Sequence, residues 1–185
     1  MARTRTKKEF SVRDLIAIAI FTAFICLVSP IKLGTGPTVS ITLATFTVCL
    51  TAAVLGFKRG LVCIIIYLVL GALGVPVFAD WTGGYEHFLE NSAGYLVGLL
   101  LLMMVAGLII DANERNSYIY FVGMIAGVAL CYLLGALWLV VKSQLAFTAL
   151  WDTGFVPYLS AECIKIFVAA MLGYPLRKLV KKITG

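Results

Sequence analysis

Charge is the scarcest commodity in this 185-residue sequence: only 13% of it is Asp, Glu, Lys or Arg, while 62% is hydrophobic. Mean hydropathy is +1.02. A soluble domain carries about 25% charged residues and needs polar surface to cover itself. The scarcity therefore excludes a water-soluble globule and a disordered chain. Histidine is limited to His87, which leaves little for a His-based metal site or a Ser-His dyad. The five cysteines, Cys26, Cys49, Cys63, Cys131 and Cys163, form no C-x-x-C pair, lie in or beside apolar runs, and read as small buried hydrophobes. The sequence has no H-E-x-x-H motif and no G-x-x-x-x-G-K-[ST] loop, so it lacks the usual means of binding a catalytic zinc ion or a nucleotide phosphate. No metal and no cofactor are expected.

What remains is apolar chain in long runs. A helix needs about 20 mainly apolar residues to cross a bilayer. Six runs qualify: 12–31, 41–56, 59–74, 93–110, 118–141 and 157–176. The second and third are joined by Gly56-Phe57-Lys58-Arg59-Gly60, which reads as a tight hairpin. The expected fold is an all-α integral membrane protein of six transmembrane helices, with residues 1–185 forming one domain. Ser11 and Asp14 cap the entry to the first span.

The few charges are sorted by side. Twelve of the 15 basic residues fall in or beside segments 1–11, 57–59, 111–117 and 177–185. Loop 75–92 has no Lys or Arg but carries Asp80, Glu86 and Glu90. Lys and Arg concentrate on cytoplasmic loops, which places both termini on the cytoplasmic side of the cell membrane. The basic excess is thereby spent on topology and contact with membrane lipid, and no nucleic-acid partner is expected.

Small residues recur at helix spacing. Gly94 and Gly98, and Gly123 and Gly127, are four apart and allow close helix packing. Ala19 and Ala23 make a similar stripe on the first span, open either to internal packing or to another membrane subunit.

Two charges have no topological role. Glu162 and Lys165 lie about 7 and 12 Å along the sixth helix from Pro157, at 1.5 Å per residue, and share a face. An ionisable residue inside a membrane span is a functional candidate. The pair serves as an internal ion pair or as a pocket, with the carboxylate accepting ligand N–H groups and the ammonium donating to ligand oxygens. Loop 75–92 lies on the same side with Phe78, Trp81, Tyr85 and Phe88 around Gly83-Gly84. Its aromatics either anchor at the membrane interface or cover apolar ligand surface. Loop 32–40, shaped by Gly34, Gly36 and Pro37, converges there too. Tyr132, Gly135, Ala136 and Trp138 in the fifth span can admit a helix or a flat ligand.

The series of motifs resembles the BioY family, the biotin-specific S components of energy-coupling-factor transporters. The resemblance covers nearly the whole chain. It is carried by Ala19-xxx-Ala23, Gly36-Pro37, Ser40-Ile-Thr-Leu43, Leu55-Gly-Phe-Lys-Arg-Gly60, Gly94-Tyr95 with Gly98, Gly135-Ala-Leu-Trp138 and the acid-x-x-Lys at Glu162–Lys165. Its most specific element is Tyr67-Leu-Val-Leu-Gly-Ala-Leu-Gly-Val-Pro-Val-Phe78, similar to the family's YLxLGxxGxPVF run. The resemblance implies an S-component bundle that captures biotin from outside and is not itself an enzyme. It implies a transmembrane coupling subunit and two cytoplasmic ATPase subunits as partners, docked through Ala19 and Ala23. The binding residues expected are Glu162, Lys165, Thr82, Asn91 and Ser92 for polar contacts, with Trp81, Tyr85, Phe88 and Tyr132 over the apolar part. The chain departs from the family pattern at Glu90–Ala93, at Ser160-Ala161-Glu162 and at Thr82. These departures keep another cofactor-like acid, lipoate or a biotin precursor, as an alternative ligand. A membrane scaffold or enzyme that transports nothing is the second alternative.

Overall fold

The computed structural model describes residues 11–35, 40–143 and 156–184. Five helices make up most of it: α1 (Val12–Val28), α2 (Ala44–Ala72), α3 (Ala93–Ala112), α4 (Ser117–Ser143) and α5 (Val156–Thr184). By length and composition α2, α3 and α4 are each apolar enough to cross a membrane. At the entry to α1, Asp14 Oδ2 accepts the Ser11 backbone N–H at 3.1 Å.

α2 is two limbs rather than one rod. Gly56 adopts φ 73° and ψ −169°, a conformation essentially restricted to glycine. The limbs run antiparallel, as their partners show. Thr45 in the first limb reaches Glu162, while Ala53, two turns on, accepts from Arg177. In the second limb Arg59 pairs with Asp14 at 2.7 Å, and Tyr67 meets Ser29 at 2.9 Å. The hairpin expected from the sequence thus turns at Gly56. The start of the second run does not match the expectation. Residues Ser40–Thr42 form a strand, β2, antiparallel to β1 (Lys32–Thr35), and the helix begins only at Ala44. Strand-favouring Ile41 and Thr42 follow a glycine-bearing connection. Residues 36–39, with Gly36 and Pro37, lie outside the described residues, as does most of loop 142–156.

Two ends result. One gathers Asp14, Gly56, Asp111 and Tyr120 with the Arg177 turn. Arg177 donates to Ala53 O at 3.2 Å, to Asp111 Oδ1 at 2.5 Å and to Glu114 Oε2 at 3.0 Å. Asp111 Oδ2 accepts Phe57 N–H at 2.8 Å. One arginine therefore ties α5 to α2 and α3 beside the Gly56 turn. The Lys181 hydrogen bond, aided by Arg177, holds the Glu114 carboxyl below the ordinary carboxylate range. The other end gathers Ser29, the β1–β2 pair, loop 75–92, Trp138 and Glu162.

α3 and α4 pack through their glycines. A side chain at Gly98 would meet the Cys131 backbone, and one at Gly127 the Leu102 backbone. The small-xxx-small patterns are internal packing, and the space beside Gly135 is filled by the Tyr95 ring. Cys49, Cys63 and Cys131 are buried free thiols, whereas Cys163 is exposed.

Gly56→Ala is expected to destabilise the protein by about 1–3 kcal/mol, the usual cost of such a backbone conformation away from glycine. Its methyl would also collide with the Asp111 carboxylate that accepts from Phe57. Thermal unfolding of the purified protein checks this through a lowered Tm.

Candidate functional site

At the acidic end a cavity of about 330 Å³ opens between the helices, a size suited to a small organic ligand. Its floor is built by α5, α4 and the start of α2. Glu162 and Lys165, one turn apart on α5, are 5% and 6% exposed. Such burial of opposite charges is tolerated only where pairing and hydrogen bonds replace water.

The hydrogen bonds divide unequally. Lys165 Nζ donates to Thr42 O at 2.9 Å, to Thr45 Oγ1 at 3.0 Å and to Glu162 Oε1. An ammonium has three donors, so these acceptors account for all of them. Glu162 Oε1 also accepts from Thr45 Oγ1 at 3.0 Å and from Tyr132 OH at 2.9 Å. Its twin, Oε2, is buried with no hydrogen-bond partner among the described residues. A buried carboxylate oxygen left this way is costly. The site has a saturated cation and a half-satisfied anion on two residues that both line the cavity.

The walls are apolar and aromatic: Tyr67, Phe78, Tyr95, Leu96, Leu99, Cys131 and Tyr132 line it. The Tyr95 and Tyr132 rings meet edge to face with centroids 5.7 Å apart. Phe78 is the hub of loop 75–92. It packs against Tyr67, His87 and Phe88 at 5.7, 5.5 and 5.9 Å. Its ring sits where Gly71 has no side chain. The rim carries Asp80, Thr82, His87, Glu90 and Ser92, with Ser29, Thr42, Ala44, Thr45 and Ala79 completing the lining.

Of the nine binding residues expected from sequence, Glu162, Lys165, Thr82, Ser92 and Tyr132 line this cavity and Asn91, Trp81, Tyr85 and Phe88 do not. The cause is local. Phe78 N–H donates to Thr82 O at 2.9 Å, and Thr82 Oγ1 donates to Ala79 O at 2.6 Å. This tight reversal puts Asp80 and Trp81 at φ 61° and 57° and leaves Trp81 55% exposed. Tyr85 is 67% exposed on the following turn. Phe88 backs Phe78 from behind the wall. The aromatic cover comes instead from tyrosines inside the helices, Tyr67 and Tyr95, and from Phe78. Thr42 and Thr45 were missed as well. Thr45 had a signal, a threonine where an apolar run begins; Thr42 contributes its backbone carbonyl from β2, which no side-chain pattern announces. On α1, Ala19 and Ala23 are both exposed.

Residues 3–182 match the model of the BioY family. The chain belongs to the BioY family. Among BioY relatives, the "Biotin transporter BioY" of Thermotoga maritima is 38% identical, with 90% of this chain and 97% of that protein aligned. The "Biotin transporter BioY" of Rhizobium etli is 34% identical over 88% of this chain and 92% of that one. The crystal structure of the S-component for biotin from an ECF-type ABC transporter superposes with a TM-score of 0.81 at 27% identity, covering 96% of this chain and 95% of that one. The chain is thus a BioY-type membrane protein and a transporter component rather than an enzyme.

The unequal hydrogen bonding sets up a stability test. Lys165→Met leaves the Glu162 carboxylate buried without its cation, which costs about 3–5 kcal/mol. The double substitution Glu162→Gln with Lys165→Met removes both charges and is expected to restore most of the loss. Thermal unfolding of the two variants, read as Tm against the unaltered protein, checks the order.

Proposed function

We propose that this chain is the substrate-capture S component of an energy-coupling-factor importer and binds biotin from outside the cell. The observation that carries the reading is the Glu162 carboxylate, which belongs to a cavity-lining residue and keeps one oxygen, Oε2, buried without a hydrogen-bond partner among the described residues. The ureido ring of biotin offers N–H donors of the required kind, and a charge-assisted hydrogen bond is about twice as strong as a neutral one. Lys165, with all its donors engaged, fixes and neutralises Glu162 rather than reaching the ligand. Thr82 and Ser92 supplement the polar contacts. Tyr132, with Tyr67, Tyr95 and Phe78, covers the apolar bicycle. Asn91, Trp81, Tyr85 and Phe88 act at one remove, through the shape of the loop. The names of the relatives, and the S-component for biotin whose structure superposes, support the same ligand.

On this reading residues 1–185 are one domain that crosses the cell membrane six times, the two limbs of α2 counting separately. Both termini lie in the cytoplasm. Support comes from the segregation of Arg13, Lys58, Arg59, Arg115 and the α5 cations at one end. The sequence holds no nucleotide-binding loop, so ATP hydrolysis falls to partners: two cytoplasmic ATPase subunits joined through a transmembrane coupling subunit. Ala19 and Ala23, exposed on α1, let another helix approach closely.

Purified protein is expected to bind radiolabelled biotin saturably below micromolar concentration, with lipoate, which lacks the ureido N–H groups, failing to compete. Glu162→Gln should weaken binding roughly 10-fold or more, the equivalent of one charge-assisted hydrogen bond. No saturable binding, or full competition by lipoate, would sink this ligand. For docking, Ala19→Trp with Ala23→Trp should abolish copurification with the coupling and ATPase subunits while biotin binding persists. Undiminished copurification would show that the contact lies on another face.

A further inference from the structure

We propose that the rim of this cavity disfavours a negatively charged tail, so that amides and esters of the biotin carboxyl bind more tightly than free biotin. The inference rests on the biotin reading above, and it concerns the end of the ligand that Glu162 does not hold. With the ureido ring at the floor, the tail leads to the rim, where Asp80, His87 and Glu90 stand.

A free carboxylate there needs a cation, and the whole sequence can be searched for one. Apart from the basic end and residues 1–10, the only Lys or Arg residues are Lys32, Lys142 and Lys165. Segments 36–39 and 144–155 contribute no Lys, Arg or His. Lys165 has all three donors engaged at the floor. Lys32 is paired with Asp80. Lys142, exposed on the last turn of α4, is not part of the lining. The rim's own charges point the other way. Glu90 is among the residues lining the cavity, and its backbone is held by Trp138 Nε1, which donates to the Glu90 carbonyl at 3.0 Å. The Glu90 carboxylate lies 2.9 Å from His87 Nδ1 and its side chain is 55% exposed. A second carboxylate about 6 Å away would lose between roughly 3-fold and 100-fold in affinity as the effective dielectric falls from that of water to that of a protein surface. An amide or ester tail carries no such penalty and can hydrogen-bond to Ser92.

The experiment compares dissociation constants of biotin, biotin methyl ester and biotinamide for the purified full chain at neutral pH by isothermal titration calorimetry. The ratio of the biotin constant to that of either neutral compound is expected to exceed 1, at about 3 to 10. Glu90→Gln removes the repelling charge and Asp80→Asn releases Lys32. Each should lower the ratio about 3-fold or more. A ratio below 1 in the unaltered protein, or a ratio that neither variant moves, would overturn the proposal while leaving the biotin reading intact. The unaltered protein alone decides the first point should a variant fail to fold. Failure of all three compounds to bind would instead overturn the biotin reading and the tail preference with it.

Discussion

Everything at the acidic end of this molecule is arranged around the need to keep Glu162 and Lys165 charged where water is excluded. Burying either ion alone costs several kcal/mol, and their mutual attraction offsets this only with added hydrogen bonds. Those bonds recruit the rest of the site. Thr42 O requires the chain to end β2 before α2 starts. Thr45 must sit on the first turn of α2, donating to one member of the pair and accepting from the other. Tyr132 brings α4 to the same point. Three helices therefore meet at one carboxylate, and the cavity is the space they leave above it.

The opposite end answers a different constraint with the same economy of charge. The chain must reverse at Gly56 without a long loop, and the exposed backbone of that reversal needs partners. Asp111 supplies one by accepting Phe57 N–H, and Arg177 holds Asp111 in place while also capping Ala53 O. The close approach of α3 and α4 through Gly98 and Gly127 fixes the distance between the Asp111 end and the Tyr132 wall. The two ends are thus coupled by packing, though their charges never meet.

How much of this could be read from residues alone depends on which physical rule governs each part. The helices, the reversal at Gly56 and the Glu162–Lys165 pair were legible because hydropathy, glycine and intramembrane charge each carry a strong local cost. Loop 75–92 was not. Its composition announced aromatic cover, but composition does not say which rings face inward. The 78–82 reversal decides that, by hydrogen bonds between residues three and four apart. It turns Phe78 in and Trp81 out. The wall tyrosines were hidden for the opposite reason. Tyr67 and Tyr95 lie in apolar helices, where a tyrosine reads as packing until the helix face is known. The β1–β2 pair escaped notice because Ser40–Thr42 continues an apolar run whose periodicity is indistinct over so few residues.

A receptor that must both hold its ligand and give it up gains from the way these charges are paired. Because Lys165 is satisfied within the protein, a neutral ligand head can join or leave Glu162 without changing the net charge of the buried site. Only hydrogen bonds are exchanged, each worth about 1.5–3 kcal/mol when one partner is charged. A head that was itself charged would have to displace Lys165 and strand one ion in a medium of low dielectric. The same reasoning applied at the rim, where Asp80 is paired with Lys32 and the Glu90 carboxylate meets only His87, underlies the proposed preference for a neutral tail. On the proposed reading, such a site selects by hydrogen-bond pattern at its floor and by absence of charge at its mouth.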